Sequence, residues 1–149
     1  MDAALSARQA PAQTPKFCPG GDEMSDAEAF VESWSKVWNG PDSNPTLYME
    51  ILHEGCRLVN PIAEGTREEL PRIFESFLEV EPDLRAVPTR WAETNDGVLI
   101  EWVNTGTLHG QPIELRGADR FTLRDGKATE GHSYFDPRPF LDRVGQADR

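Results

Sequence analysis

Residues 117–141 read GADRFTLRDGKATEGHSYFDPRPFL. Asp119 sits here among apolar strand residues, beside Ala118 and ahead of Phe121 and Leu123. Asp125-Gly126 then supplies a tight turn, and 127–135 alternates again as a second strand. Asp136-Pro137 and Phe140-Leu141 suggest a closing helical turn. A carboxylate without a partner is costly to bury. Three readings of Asp119 stay open: an exposed edge residue, a hydrogen-bonded structural acid, or a functional group in a cavity.

Working back from this hairpin, the period of two continues. A strand is expected over 112–123, a turn at His109-Gly110, and a strand over 98–108. Asn95-Asp96-Gly97 is another hairpin signal. Before it, Val87, Thr89 and Trp91 alternate with Pro88 and Arg90, and Pro82 ends the preceding helix. The result is a four-strand antiparallel meander.

Further upstream the period becomes helical. Ser25 and Glu28 form a capping box, followed by Ala27, Phe30, Val31, Trp34, Val37 and Trp38 at helical spacing, with Gly40-Pro41 as the stop. Asn44-Pro45 opens a short helix expected to run to about His53, with Leu47, Ile51 and Tyr48 inward. His53 reads as a helix C-terminal histidine favoured by the dipole. A brief strand over 56–60 leads to the Asn60-Pro61 loop. Thr66 and Glu69 make a second capping box for a helix carrying Leu70, Ile73, Phe74, Phe77 and Leu78, and Pro71 moves its start toward Glu69. Helices first and strands after predict α+β, three N-terminal helices packed on one face of a strongly curved antiparallel sheet, with a cavity between.

The chain has 149 residues, 15 basic against 26 acidic, a net charge of −11. That disfavours nucleic acid and anionic membrane surfaces as partners. Residues 1–23, rich in Ala, Gln, Pro and Gly, read as a disordered tail without a signal-peptide core, and 24–149 as a single domain. No apolar run is long enough for a membrane span. Cys18 and Cys56 lack ligand spacing and read as reduced thiols of a cytoplasmic protein. The histidines are not paired, and no phosphate-cradling or dinucleotide glycine motif occurs, so no metal and no cofactor is expected. Glu68-Glu69 and Glu79-Val80-Glu81 read as solvated faces.

Three stretches carry a family likeness: FVESWSKVWNGPD, CRLVNPIAEGTREEL and the opening stretch, together spanning 25–141. They resemble the SnoaL-like and ketosteroid isomerase-like members of the nuclear transport factor 2-like superfamily. The resemblance implies the cone fold and a small-molecule pocket. Steroid isomerases of this fold carry a base aspartate just before the proline of the short-strand motif, where this chain has Asn60. Their tyrosine donor on the first helix falls near Ser33 or Trp34 and is missing. Their protonated acid on the penultimate strand aligns with Asp119. The charged set of limonene-epoxide-hydrolase-like members aligns with Trp102, Asn104 and Ser133, and their water-holding pair with Leu58 and Asn60, so only the asparagine remains. Neither catalytic set is retained.

Strand alternation sorts the candidates. If Asp119 faces inward, so do Leu115, Gly117, Phe121 and Leu123, with Trp102 and Asn104 on the strand before and Gly131, Ser133 and Phe135 on the strand after. Asp119, Asn60 and Asn104 are the candidate catalytic groups. Trp34, Leu58, Trp102, Phe121, Ser133 and Phe135 are the candidate ligand contacts. Each also has a plainer reading: Asn60 as a turn former, the tryptophans as core, Asp119 bonded to Asn104 or to backbone. His132 and Tyr134 fall on the outer face, where a homodimer contact is expected; a register slip would instead bring His132 inward as a general acid/base. Two functions are carried forward: a cofactor-independent acid/base enzyme on a small hydrophobic molecule, and a protein that binds such a molecule without turnover.

Overall fold

The structure, a computed structural model, describes residues 8–10 and 24–147. Helix α1, Asp26–Trp34, is capped by Ser25, whose hydroxyl accepts from the Glu28 amide at 3.1 Å. It ends at Ser35, earlier than the apolar spacing suggested, because the chain turns toward Gly40. Val37 is fully buried, and Trp38 stacks on Phe74 with ring centroids 3.7 Å apart. Helix α2, Pro45–Glu50, is capped by the Asn44 side chain. It stops short of His53, which lies instead on strand β2, Leu52–Val59, with its ring bonded to the Arg124 carbonyl at 2.7 Å.

Strand β3, Glu64–Thr66, pairs with β2. The Thr66/Glu69 capping box forms around one 3-10 turn, and α3, Leu70–Val80, follows with Pro71 in its first turn, where no amide hydrogen is required. The meander is β4, Arg85–Glu93; β5, Gly97–Leu108; β6, Gln111–Arg124; and β7, Lys127–Phe135. Its turns are built as the sequence suggests. His109 and Gly110 have φ of 51° and 78°, and Asp125 and Gly126 have 55° and 80°, both pairs left-handed. Helix α4, Arg138–Ala147, closes the described chain.

The fold is α+β, with a curved sheet of seven strands in the order β1-β4-β5-β6-β7-β2-β3. The meander is antiparallel, while β2 joins β7 in parallel, which makes the whole sheet mixed. The β2 register shifts between Leu52 and Arg57, around Gly55 at φ 72°. Strand β1, Arg8–Ala10, pairs with the β4 edge through Arg8 and Glu93. The rest of the expected tail over 1–23 lies outside the described residues.

The helices cover the inner face. Phe30, Val31, Trp34, Tyr48, Leu70 and Phe74 from the helices pack with Val98, Ile100, Leu115 and Phe121 from the sheet in one core. Phe30 and Phe121 meet at 4.7 Å. Glu81, read from sequence as solvated, is 3% exposed at the end of α3. The chain must enter β4 here, and it carries the carboxyl against Gly106, where an added Cβ would lie 2.1 Å from Glu81 Oε2. No helix among the described residues is long and apolar enough to cross a membrane.

Candidate functional site

Asp119 lies opposite Ile100 on β5 and Ser133 on β7, on the inner face. It is 6% exposed. The flanking Arg116 and Arg120 point outward to Glu114 and Glu130, so neither neutralises it. Its direct hydrogen bond comes from the Trp102 indole, Nε1 to Oδ1 at 2.8 Å. Trp102 starts two residues along, opposite Gly117. Its indole reaches Asp119 across that glycine, where an added Cβ would fall 2.8 Å from Trp102 Cζ2. Ser133 presents its hydroxyl to the same carboxyl. Burial pushes Asp119 from 3.8 up to about 6, and the donors Ser133, Trp102 and Trp34 oppose part of that rise. The bond to Asn104 considered from sequence is not formed; Trp102 takes that role.

Asp119 stands at the waist of a two-lobed cavity. Trp38, Asn60, Phe77, Asp119 and Ser133 border both lobes, each of about 110 Å³. The first lobe has aliphatic walls, including Leu58, Leu70 and Ile73, with Tyr48 and Phe121. The second has aromatic walls, including Trp34, Trp102 and Phe135, with Asn104 at its border. Asn104 faces Leu115, four residues from Asp119 along β6, which puts the two roughly 13 Å apart. The waist therefore brings Asp119 and Asn60 together and leaves Asn104 to the outer part of one lobe.

Asn60 forms the turn and also borders both lobes. Its Oδ1 accepts from the Ile62 and Ala63 amides at 2.7 and 2.8 Å. With the oxygen so committed, its NH₂ is the end left for the cavity, a donor of fixed identity. The Trp34 indole N–H faces both the Asp119 carboxyl and the Tyr48 hydroxyl. It lies near enough to both to lower their pKa values but makes no direct, well-aligned hydrogen bond to either, and Trp34 is 3% exposed. Tyr48, read from sequence only as an inward helix residue, brings its hydroxyl to the same place. Its pKa is raised well above the usual 10 by burial and then by the Asp119 charge. A tyrosine near the aspartate thus comes from α2, although the first-helix position lacks one. Two aromatics at the waist, Trp38 and Phe77, were also read only as core. Their helical spacing could not say which core residues border a void.

His132 stays outside. It pairs with Arg120 across the strands and stacks near Tyr134 at 6.4 Å on the outer face. The register therefore removes it as a cavity acid/base. Burial pushes the Cys56 thiol up to about 12, which disfavours the thiolate a nucleophile needs. No metal-binding cluster occurs among the described residues.

The SnoaL-like domain family matches residues 19–131. Among solved structures, a protein with a ketosteroid isomerase-like fold from Catenulispora acidiphila, in complex with trimethylamine, is 21% identical. That match covers 78% of this chain and 92% of the other, with a TM-score of 0.69. TerC, co-crystallised with polyporic acid, is 20% identical over 80% of this chain and 98% of its own, with a TM-score of 0.69. A protein from Jannaschia sp. assigned as a SnoaL-like polyketide cyclase is 19% identical over 84% and 97%, with a TM-score of 0.65. At these identities the likeness is one of fold. No curated protein matches the chain. The family match covers most of the chain and the solved relatives share its cone: this protein belongs to the SnoaL-like family, within the nuclear transport factor 2-like fold.

Proposed function

We propose that the cavity takes a small, largely hydrophobic molecule, and that Asp119 acts on it as a cofactor-independent acid/base of the isomerase, cyclase, dehydratase or hydrolase type. One observation carries this reading. A carboxyl titrating at about 6 opens onto a cavity waist with no cation beside it. Near neutrality such a group exists in both forms, which suits proton transfer in either direction. Protonated, it donates to a ligand oxygen; ionised, it accepts a proton. Asn60 Nδ2 orients the ligand from across the waist. The solved relatives with trimethylamine and polyporic acid support the cone as a ligand site.

A base-driven reaction on a simple probe tests this. In nitrobenzisoxazole, loss of the ring C–H proton to a base breaks the N–O bond and releases a coloured cyanophenolate. The turnover should rise with pH through about 6 as Asp119 ionises. It should vanish in Asp119→Asn. Turnover unchanged in that variant would sink the acid/base role.

The binding-only reading has its own support. At the position of the steroid isomerase base, Asn60 spends its oxygen on two backbone amides. Ligand binding without turnover of the probe would favour it. The bare outer sheet face, with Val87 and Tyr134 45% and 55% exposed, supports a homodimer. Sedimentation at micromolar concentration should give twice the chain mass; a monomer would refute it. The buried free Cys56 fits a reducing cytoplasm.

A further inference from the structure

Glu81 is a buried acid that the cavity chemistry does not use. It closes the end of α3, with its N–H on the Phe77 carbonyl at 2.9 Å and its own carbonyl accepting from the Leu84 amide at 3.1 Å. It is 3% exposed, and Oε2 is enclosed without a hydrogen-bond partner. The carboxyl fills the gap that Gly106 leaves on β5, where a Cβ would fall 2.1 Å from Oε2. Gly106 shares the inner face with Trp102, Asn104 and Leu108. Glu81 thus stands in for the side chain that position 106 lacks, delivered from another element. Ile113, opposite Gly106 on β6, is apolar and buried. A protonated acid tolerates such a place far better than a carboxylate does.

The turn that carries Glu81 also carries a wall of the cavity. Asp83 grips β5, its carboxylate accepting from the Thr107 amide at 2.7 Å and the Thr107 hydroxyl at 2.8 Å. The Leu84 carbonyl accepts from the Gly40 amide at 2.6 Å. Leu84 borders the aromatic lobe, and so does Asn104, the next inward residue from Gly106. Withdrawal of the Glu81 carboxyl would therefore empty a gap beside Asn104 and loosen the turn that seats Leu84.

We infer that Glu81 is a pH-operated gate of the aromatic lobe: protonated, it fills the Gly106 gap and seats the 81–84 turn; ionised, it swings into water, and the lobe opens at Leu84. Burial and then the like charge of Asp83 push Glu81 from 4.5 up to about 7 in the closed state. Glu79 and His109 border the surface hollow beside Asp83 and Thr107, and Arg85 is exposed on β4; none of the three offsets that rise. In the open state the carboxyl is hydrated and titrates near its ordinary value. Opening thus releases a proton and is favoured as pH rises through the window between the two values. The gate goes beyond the acid/base reading of Asp119 and does not depend on it.

Amide hydrogen exchange followed by NMR on the full chain, without ligand, tests this. The Gly40 and Thr107 amides report the turn, because Leu84 and Asp83 are their acceptors. Both should exchange faster than the Ile100 and Phe121 amides of the central strands, through local opening. After correction for intrinsic exchange, their protection should fall about tenfold to a hundredfold from about pH 5 to about pH 8. The Leu84 methyl and Asn104 side-chain resonances, both in the lobe wall, should titrate with a shared midpoint of about 7. Glu81→Gln should abolish both pH dependences. Gly106→Ala should force the carboxyl out and leave the turn poorly protected at every pH, so the test stands even if Glu81→Gln does not fold. Protection that stays flat with pH in the wild type, a pH dependence that survives in Glu81→Gln, exchange at Gly40 and Thr107 as slow as at Ile100 and Phe121, or lobe resonances that do not titrate would each overturn the gate. Asp119-dependent turnover of nitrobenzisoxazole together with any of these results would leave the acid/base reading standing and the gate refuted.

Discussion

Replacing Asp119 with asparagine should stabilise the protein at neutral pH, because the native acid is held against its own ionisation. Burial raises its pKa from 3.8 to about 6. Between those values the native state keeps a proton that the unfolded chain has released, so stability falls as pH rises through the window and is flat above it. The rise corresponds to about 3 kcal/mol by the linkage of pKa to free energy. Asparagine keeps an oxygen for the Trp102 N–H, at 2.8 Å in the wild type. Its NH₂ must find an acceptor, for which the facing Ser133 hydroxyl is available. Imperfect pairing there lowers the expected gain to about 1–3 kcal/mol at pH 7. For a domain of this size each kcal/mol moves Tm by roughly 2–4 °C. Thermal melts of both proteins in a pH series provide the assay. The Asn variant should melt higher at pH 7 and converge with wild type near about pH 4. A gap that stays constant across the series, or a variant less stable at pH 7, would refute a buried acid with a raised pKa.

Gly117→Ala should push the Trp102 indole off its path, since the added Cβ would lie 2.8 Å from Cζ2 and 2.5 Å from the Tyr134 carbonyl oxygen. It should lower stability by about 1–3 kcal/mol in denaturant titrations, and the Trp102 N–H resonance should lose its hydrogen-bond shift. Glu81→Gln should stabilise the protein at alkaline pH by up to about 3 kcal/mol, because burial and then Asp83 push Glu81 from 4.5 up to about 7. Its advantage should grow as pH rises through that window and disappear on acidification, as read by melts. Asn60→Asp should fold, since a carboxylate can accept the same Ile62 and Ala63 amides. It should raise the Asp119 titration midpoint further through like charge at the waist, as read by carboxyl NMR.

The meander was legible because its signals are local. Alternation marked the strands, and Asp125-Gly126 and His109-Gly110 marked turns that need positive φ. Alternation also oriented Asp119, Ser133 and Trp102 correctly, since one face of a strand is fixed once its register is. Strand β2 was less legible. Its parallel pairing with β7 leaves no turn signal, and the irregularity at Gly55 breaks the alternation, so its first half read as helix with His53 at the end. Glu81 was misread because burial at the end of α3 follows from the route into β4, not from the helix pattern. Asp119 and Asn60 could be named from sequence. The partnerless Trp34 N–H, the Tyr48 hydroxyl beside it and the two-lobed shape could not, because they depend on how α1 and α2 seat against the sheet.

Direct titration of the Asp119 carboxyl carbon by NMR, with Asp119→Asn used to assign its resonance, bears most closely on the central claim. The account predicts a single midpoint at about 6, well above the 3.8 of an ordinary aspartate. A midpoint at or below 3.8 would mean a solvated or ion-paired acid, and would contradict the placing of Asp119 as a buried acid/base at the waist of the cavity.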